Sequence, residues 1–149
     1  MSNSSSKKSN WLFIAWAISV VATAGSLYLS EYLHFTPCSL CWYQRIFMYP
    51  MTILLGIASA RNQTQIVPFV MPMVVIGGGF SIYHIFIQEM PHSGSVASCG
   101  PVSCMEDVLN AFGFLTVPML ALTAFVLIFI ALLQIRRLDR IDSTKGPLL

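Results

Sequence analysis

Four apolar stretches, each close to the length that crosses a lipid bilayer, take up most of the chain. Residues 11–33 hold one charged side chain, Glu31, and residues 42–60 hold one, Arg45. Residues 66–88 and 114–135 hold no Asp, Glu, Lys or Arg. At ~1.5 Å per helical residue, a stretch of the first one's length reaches about 34 Å, against a hydrocarbon core of roughly 30 Å. Only 9% of the residues are charged, whereas an average soluble domain carries about 25%. A soluble globule of this size could not be covered by so little charge. The sequence therefore predicts an all-α membrane protein, a four-transmembrane-helix bundle forming a single domain over residues 1–149, and its small net charge of +2 offers nothing for nucleic acid.

The connections are read in the same way. Residues 1–10 read as a short disordered tail. A secretory signal is the rival reading of the start, since Lys7 and Lys8 precede an apolar run and Ala22-Thr23-Ala24 resembles a cleavage site. The run continues well past Ala24, so a retained helix is expected. Residues 34–41 form a first loop, in which Thr36 suits a helix cap and Pro37 the first helical position. Pro50 is an expected kink in the second span. Residues 61–65 are a polar turn. Gly77-Gly78-Gly79 falls inside the third span, where small residues let helices approach closely. Residues 89–113 form a second loop and 136–149 a basic-leaning tail.

Charge sets an expected orientation. Lys7, Lys8, Arg61, Arg136, Arg137, Arg140 and Lys145 fall on one side of a four-span chain, seven of its eight Lys and Arg residues. The two loops on the other side carry none. The positive-inside rule then puts both termini in the cytoplasm and both loops outside. On this topology Asn62-Gln63-Thr64 faces inward, and its match to the glycosylation pattern is incidental.

All four cysteines lie in the outer loops: Cys38 and Cys41 in a C-x-x-C spacing, and Cys99 and Cys104 around a Gly-Pro turn. Thiols outside the cytoplasm can form and keep disulfides. Cys38 and Cys41 open the second helix, one turn before Arg45. The helix dipole and that cation should favour a thiolate, so a lowered thiol pKa is expected. An arginine at membrane depth is by default a functional candidate. Ser103-Cys104-Met105-Glu106 matches a capping box, which would start a short interfacial helix in the second loop. Two outward dithiols suggest an electron relay by thiol–disulfide exchange. With no haem, nucleotide or flavin motif in the chain, a lipid-soluble quinone is the expected acceptor. Arg45 would stabilise charge on its oxygen, with Gln44, Trp42 and His84 as secondary contacts; for His84 and Trp42, packing or interfacial anchoring is the simpler account.

Pro37-Cys38-Ser39-Leu40-Cys41-Trp42-Tyr43-Gln44-Arg45 resembles the P-C-x-L-C-x-Y-x-R signature of the DsbB family of bacterial disulfide-generating membrane proteins. The Trp-Tyr-Gln-Arg continuation and the compact C-x₄-C loop look closest to the Gram-positive BdbC branch. The resemblance implies a thiol:quinone oxidoreductase of the bacterial cell membrane, monomeric and surrounded by lipid. Its partner would be an extracytoplasmic thioredoxin-fold thiol oxidant of the DsbA or BdbD kind, and its quinone menaquinone for a Gram-positive source. It implies that Cys99 and Cys104 exchange with the reduced partner, that Cys38 and Cys41 then take the electrons, and that Cys41 meets the quinone. The second pair departs from the better-known branch, where a much longer loop separates the two cysteines.

Three other readings are weighed. A vitamin K epoxide reductase-like protein shares the quinone and the C-x-x-C, but carries the motif near the end of a later helix. A non-enzymatic membrane protein could use the cysteines as loop staples. A four-thiolate zinc site is possible in principle.

Overall fold

The computed structural model describes residues 2–32, 34, 38–89 and 117–145. Every regular element among them is helical: α1 (Ser2–Leu27), a π turn (Tyr28–Tyr32), α2 (Ser39–Arg61), a 3₁₀ turn (Thr64–Ile66), α3 (Val67–Glu89) and α4 (Val117–Lys145). The second cysteine pair, Thr36, Pro37 and the expected interfacial helix lie outside the described residues.

The helices pack in ring order, α1 on α2, α2 on α3, α3 on α4 and α4 back on α1. Their shared interior is apolar, with Leu12, Met51, Leu55, Val70, Phe125 and Ile128 buried at its centre. The outward faces are apolar too: Val21, Ile53, Phe69 and Ile82 are all exposed. A helix apolar on both faces is one whose solvent is lipid. Ser5–Tyr32, Thr64–Ile87 and Val117–Thr144 are long and apolar enough to cross a membrane. Helix α2 is not among them, since polar Gln44 and Arg45 interrupt its N-terminal half and Ser59 and Arg61 its other end.

Two tight approaches hold the ring. A Cβ built on Gly77 would lie 2.5 Å from Cζ of Phe125, so the α3–α4 contact depends on a bare backbone there. A Cβ on Gly56 would lie 2.9 Å from Nε1 of Trp16, across the α1–α2 contact. Of the three consecutive glycines, only Gly77 is pressed in this way; Gly79 has nothing within 4 Å. Helix α2 runs unbroken through Pro50, and α3 through Pro72.

The expected disordered tail is corrected. Residues 2–10 are the first turns of α1, and Lys8 explains why. Its ammonium group lies 2.7 Å from Asp139 and 2.5 Å from Asp142 on α4. Ser9 donates a 2.6 Å hydrogen bond to Oδ1 of Asn62, which itself ends α2 in the left-handed conformation (φ 52°). Asn tolerates that conformation and its N–H reaches back to the carbonyls of Ala58 and Ser59, satisfying the helix end. Polar contacts thus close one end of the bundle. The thiols lie at the other.

Candidate redox site

Cys38 is the N-cap of α2, with extended backbone (φ −69°, ψ 170°). Its carbonyl accepts the first helical hydrogen bond, from the Trp42 N–H at 3.1 Å. The cap therefore falls two residues beyond Thr36, where the sequence suggested it. The C-x-x-C spacing then puts Cys41 in the first turn, and the two Sγ atoms are 3.1 Å apart. Both are present as thiols, Cys38 buried and Cys41 partly exposed.

Helix α3 supplies the other wall. Phe80 stacks on Tyr43 at 5.2 Å and on Phe47 at 5.9 Å, fixing the register of α3 against α2. One turn further along α3, His84 is 2% exposed. Its Nε2 lies 3.8 Å from Sγ of Cys38, and its Nδ1 lies 3.5 Å from Nε2 of Gln44, itself buried. An amide nitrogen donates, so this orientation leaves the histidine proton on Nε2, facing the sulfur. Packing alone does not describe His84: it bridges a thiol and an amide. The Phe80–His84 spacing of four is the signal that could have promoted it.

Arg45 faces elsewhere. Its Nη1 donates to Oγ of Ser30 at 3.3 Å and its Nη2 to the carbonyl of Ser26 at 3.1 Å. Ser26 and Ser30 stand where α1 loosens into the π turn, a distortion often found at functional sites. A guanidinium there meets the negative end of the α1 dipole and adds a donor to a helix-end carbonyl that also accepts from the Ser30 hydroxyl. Trp42, 55% exposed, lies under the same guanidinium, its ring centroid 5.9 Å from Cζ. Neither serine was legible as a partner of Arg45 in the sequence.

The lowered thiol pKa is overturned for Cys38. Its thiol is pushed up to about 11, first by the hydrogen bond with Cys41 and then by burial. The contact with His84 and the Cys41 backbone amide pull the other way, but less. The N-cap position does favour a thiolate; the neighbouring thiol and desolvation outweigh it.

The sequence profile of the family described as "Disulfide bond formation protein DsbB" matches residues 7–135. "Disulfide bond formation protein C" of Bacillus subtilis is 45% identical over 121 residues, covering 80% of this chain and 88% of that one. "Probable disulfide formation protein C 1" of Bacillus anthracis is 48% identical over 118 residues, covering 78% and 85%. "Probable disulfide formation protein C" of Halalkalibacterium halodurans is 42% identical over 134 residues, covering 89% and 98%. No solved structure matches the chain.

Proposed function

The chain belongs to the DsbB family of disulfide bond formation proteins, and from that membership we propose that it is a quinone-dependent thiol oxidase that reoxidises an extracytoplasmic thioredoxin-fold partner. The observation that carries the reading is the dithiol at the N-terminus of α2, with Sγ atoms 3.1 Å apart and the imidazole of His84 against one of them. Two thiols at this distance need only side-chain rotation to close a disulfide.

Four spans remain the best account of the membrane topology. Helix α2 packs between α1 and α3, each of which is long and apolar enough to cross, and its one charged side chain in the apolar stretch is hydrogen-bonded to α1. The positive-inside distribution puts both termini in the cytoplasm and both cysteine pairs outside. Cys99 and Cys104 exchange with the reduced partner, which leaves them as a dithiol. They then pass two electrons to the Cys38–Cys41 disulfide.

Side chains further along α2 than the thiols fit a quinone. Its carbonyl oxygens accept hydrogen bonds, and α2 offers the guanidinium of Arg45 and, one turn deeper, the buried hydroxyl of Tyr49, which has no hydrogen-bond partner among the described residues. Trp42 offers an exposed aromatic face beside Arg45. When bound, the quinone supplies the acceptor for two electrons and two protons. Cys41, the more exposed sulfur, would be the one to face it. His84 Nε2–H donates toward the sulfur of Cys38 and favours its thiolate, and Gln44 keeps the imidazole turned toward the sulfur. Arg45 holds α1 against α2 and would supply positive charge to a bound acceptor. For a Gram-positive membrane that acceptor is menaquinone.

The test is quinone reduction by the purified protein supplied with a reduced thioredoxin-fold oxidant. Activity should vanish in Cys41→Ala and in Cys38→Ala. Wild-type rates in Cys41→Ala would overturn the assignment.

A further inference from the structure

Cys38, Cys41 and His84 place two sulfurs and a nitrogen within 4.8 Å of one another. The geometry points to a second use of this cluster: in the reduced protein it is a Cys₂His site for Zn²⁺, and a bound zinc ion holds the dithiol out of turnover. This goes beyond the oxidase reading and does not depend on a quinone.

Zinc takes thiolate sulfur at about 2.3 Å and imidazole nitrogen at about 2.0–2.1 Å in a tetrahedron. Such a tetrahedron separates its two sulfurs by roughly 3.8 Å and a sulfur from the nitrogen by roughly 3.5 Å. The observed separations are 3.1 Å for the sulfurs and 3.8 Å for Cys38 Sγ to His84 Nε2. A small rotation of the Cys41 side chain, which is not fully buried, closes the difference. The three donors come from two helices whose register is locked by the Phe80 stack, so little ordering remains to be done on binding.

The surroundings suit the ion as well. Two thiolates and a divalent cation sum to zero charge, which a buried site tolerates better than a lone anion. A metal-bound histidine normally gives its other ring N–H to an oxygen that fixes its orientation. Gln44 stands at Nδ1; turning its amide over presents Oε1 instead of Nε2 and supplies that acceptor. The fourth position is left to water. Binding releases the two thiol protons, and no electron moves. Since each thiolate is a zinc ligand, metal and the Cys38–Cys41 disulfide exclude one another, and a chelator restores the dithiol unchanged.

The experiment uses the full chain carrying Cys99→Ser and Cys104→Ser, purified in detergent and reduced, so that only this cluster offers thiolates. Titration with zinc against a chromogenic chelator should give one equivalent. Cobalt in its place should show thiolate charge-transfer and tetrahedral visible bands. Oxidation of the pair should abolish both signals, and His84→Ala should weaken binding at least about tenfold, since losing even an outer-shell partner costs roughly 10–100-fold. Zinc-edge X-ray absorption on the protein with His84 intact gives a reading that does not depend on that variant folding: two sulfurs and an imidazole are expected. Failure to bind one equivalent, unchanged affinity in a folded His84→Ala protein, binding to the oxidised form, or a shell without imidazole would each overturn the site. None of these outcomes bears on quinone reduction, which is measured separately.

Discussion

Nε2 of His84 and Sγ of Cys38 lie 3.8 Å apart although 46 residues separate them. The contact joins the C-terminal end of α3 to the N-cap of α2, so the imidazole reaches the sulfur only because two helices run antiparallel in fixed register. It makes the C-x-x-C of this chain a three-residue site. The thiol that is buried is the one with the imidazole beside it; the other thiol is partly exposed.

The elevated Cys38 thiol predicts a pH profile. With the thiol pushed up to about 11, Cys38 stays protonated at neutral pH, and its alkylation in the reduced protein should accelerate only as the pH climbs toward that value. The sign for stability is the same. The unfolded chain ionises this thiol near the ordinary 9.0 and the folded chain near 11, so its contribution is present below pH 9 and is lost as the pH rises through that window. Removing the largest cause with Cys41→Ala should move the Cys38 midpoint down. Removing His84, which lowers it, should move the midpoint up. Mass-tag alkylation against pH distinguishes the two directions.

Arg45 should matter to stability as well as to turnover. It donates to a serine hydroxyl and to a backbone carbonyl on α1, and hydrogen bonds from a charged group contribute about 1.5–3 kcal/mol. Arg45→Ala should lower the unfolding temperature in detergent and raise the KM for quinone. Ser30→Ala removes one neutral acceptor and should cost about 1 kcal/mol or less, with KM nearly unchanged. Equal effects of the two variants on KM would argue that Arg45 only ties α1 to α2.

Which parts of this arrangement could be read in advance follows from how local they are. The apolar stretches are long and nearly free of charge, so the helices were legible, as was the C-x-x-C at the head of α2. Lys8 was not: its apparent tail is helical because Asp139 and Asp142 meet it from the far end of the chain. Arg45 was legible as an unusual cation, but its partners depend on the π turn that brings Ser30 and the Ser26 carbonyl round. His84 was undervalued because its contact depends on the Tyr43–Phe80–Phe47 stack, a tertiary feature. The Cys38 thiol was misjudged because dipole and cation can be counted along a sequence, whereas burial and the distance to Cys41 cannot.

Gly77 is the packing position to test. A methyl group there would sit 2.5 Å from the Phe125 ring, and overpacking of this kind costs typically ~1–3 kcal/mol. Gly77→Ala should destabilise the bundle by that order, whereas Gly79→Ala, with open space around it, should be neutral or slightly stabilising by helix propensity. Gly77→Ala combined with Phe125→Leu should recover part of the loss. Thermal unfolding in detergent reads all three; additive losses in the double variant would show that the two residues do not press on each other.

The last prediction separates His84 from its support. If Nε2 manages the proton at Cys38, then His84→Ala should slow single-turnover oxidation of the Cys38–Cys41 dithiol by about 100-fold, the low end of general acid–base contributions. Gln44 touches Nδ1 and not the sulfur, so Gln44→Leu should slow the same step less, by allowing the ring to turn, while leaving the imidazole in place. The two should also differ in pH dependence. His84→Ala removes the contact that favours the Cys38 thiolate, so its rate should keep rising with pH as the thiol ionises unaided, and at high pH it should approach the wild-type rate. Gln44→Leu keeps the imidazole, and its profile should run parallel to wild type at a lower level. Stopped-flow oxidation with excess quinone measures both profiles. A His84→Ala protein that is slow by the same factor at every pH would mean that the imidazole shapes the pocket and moves no proton.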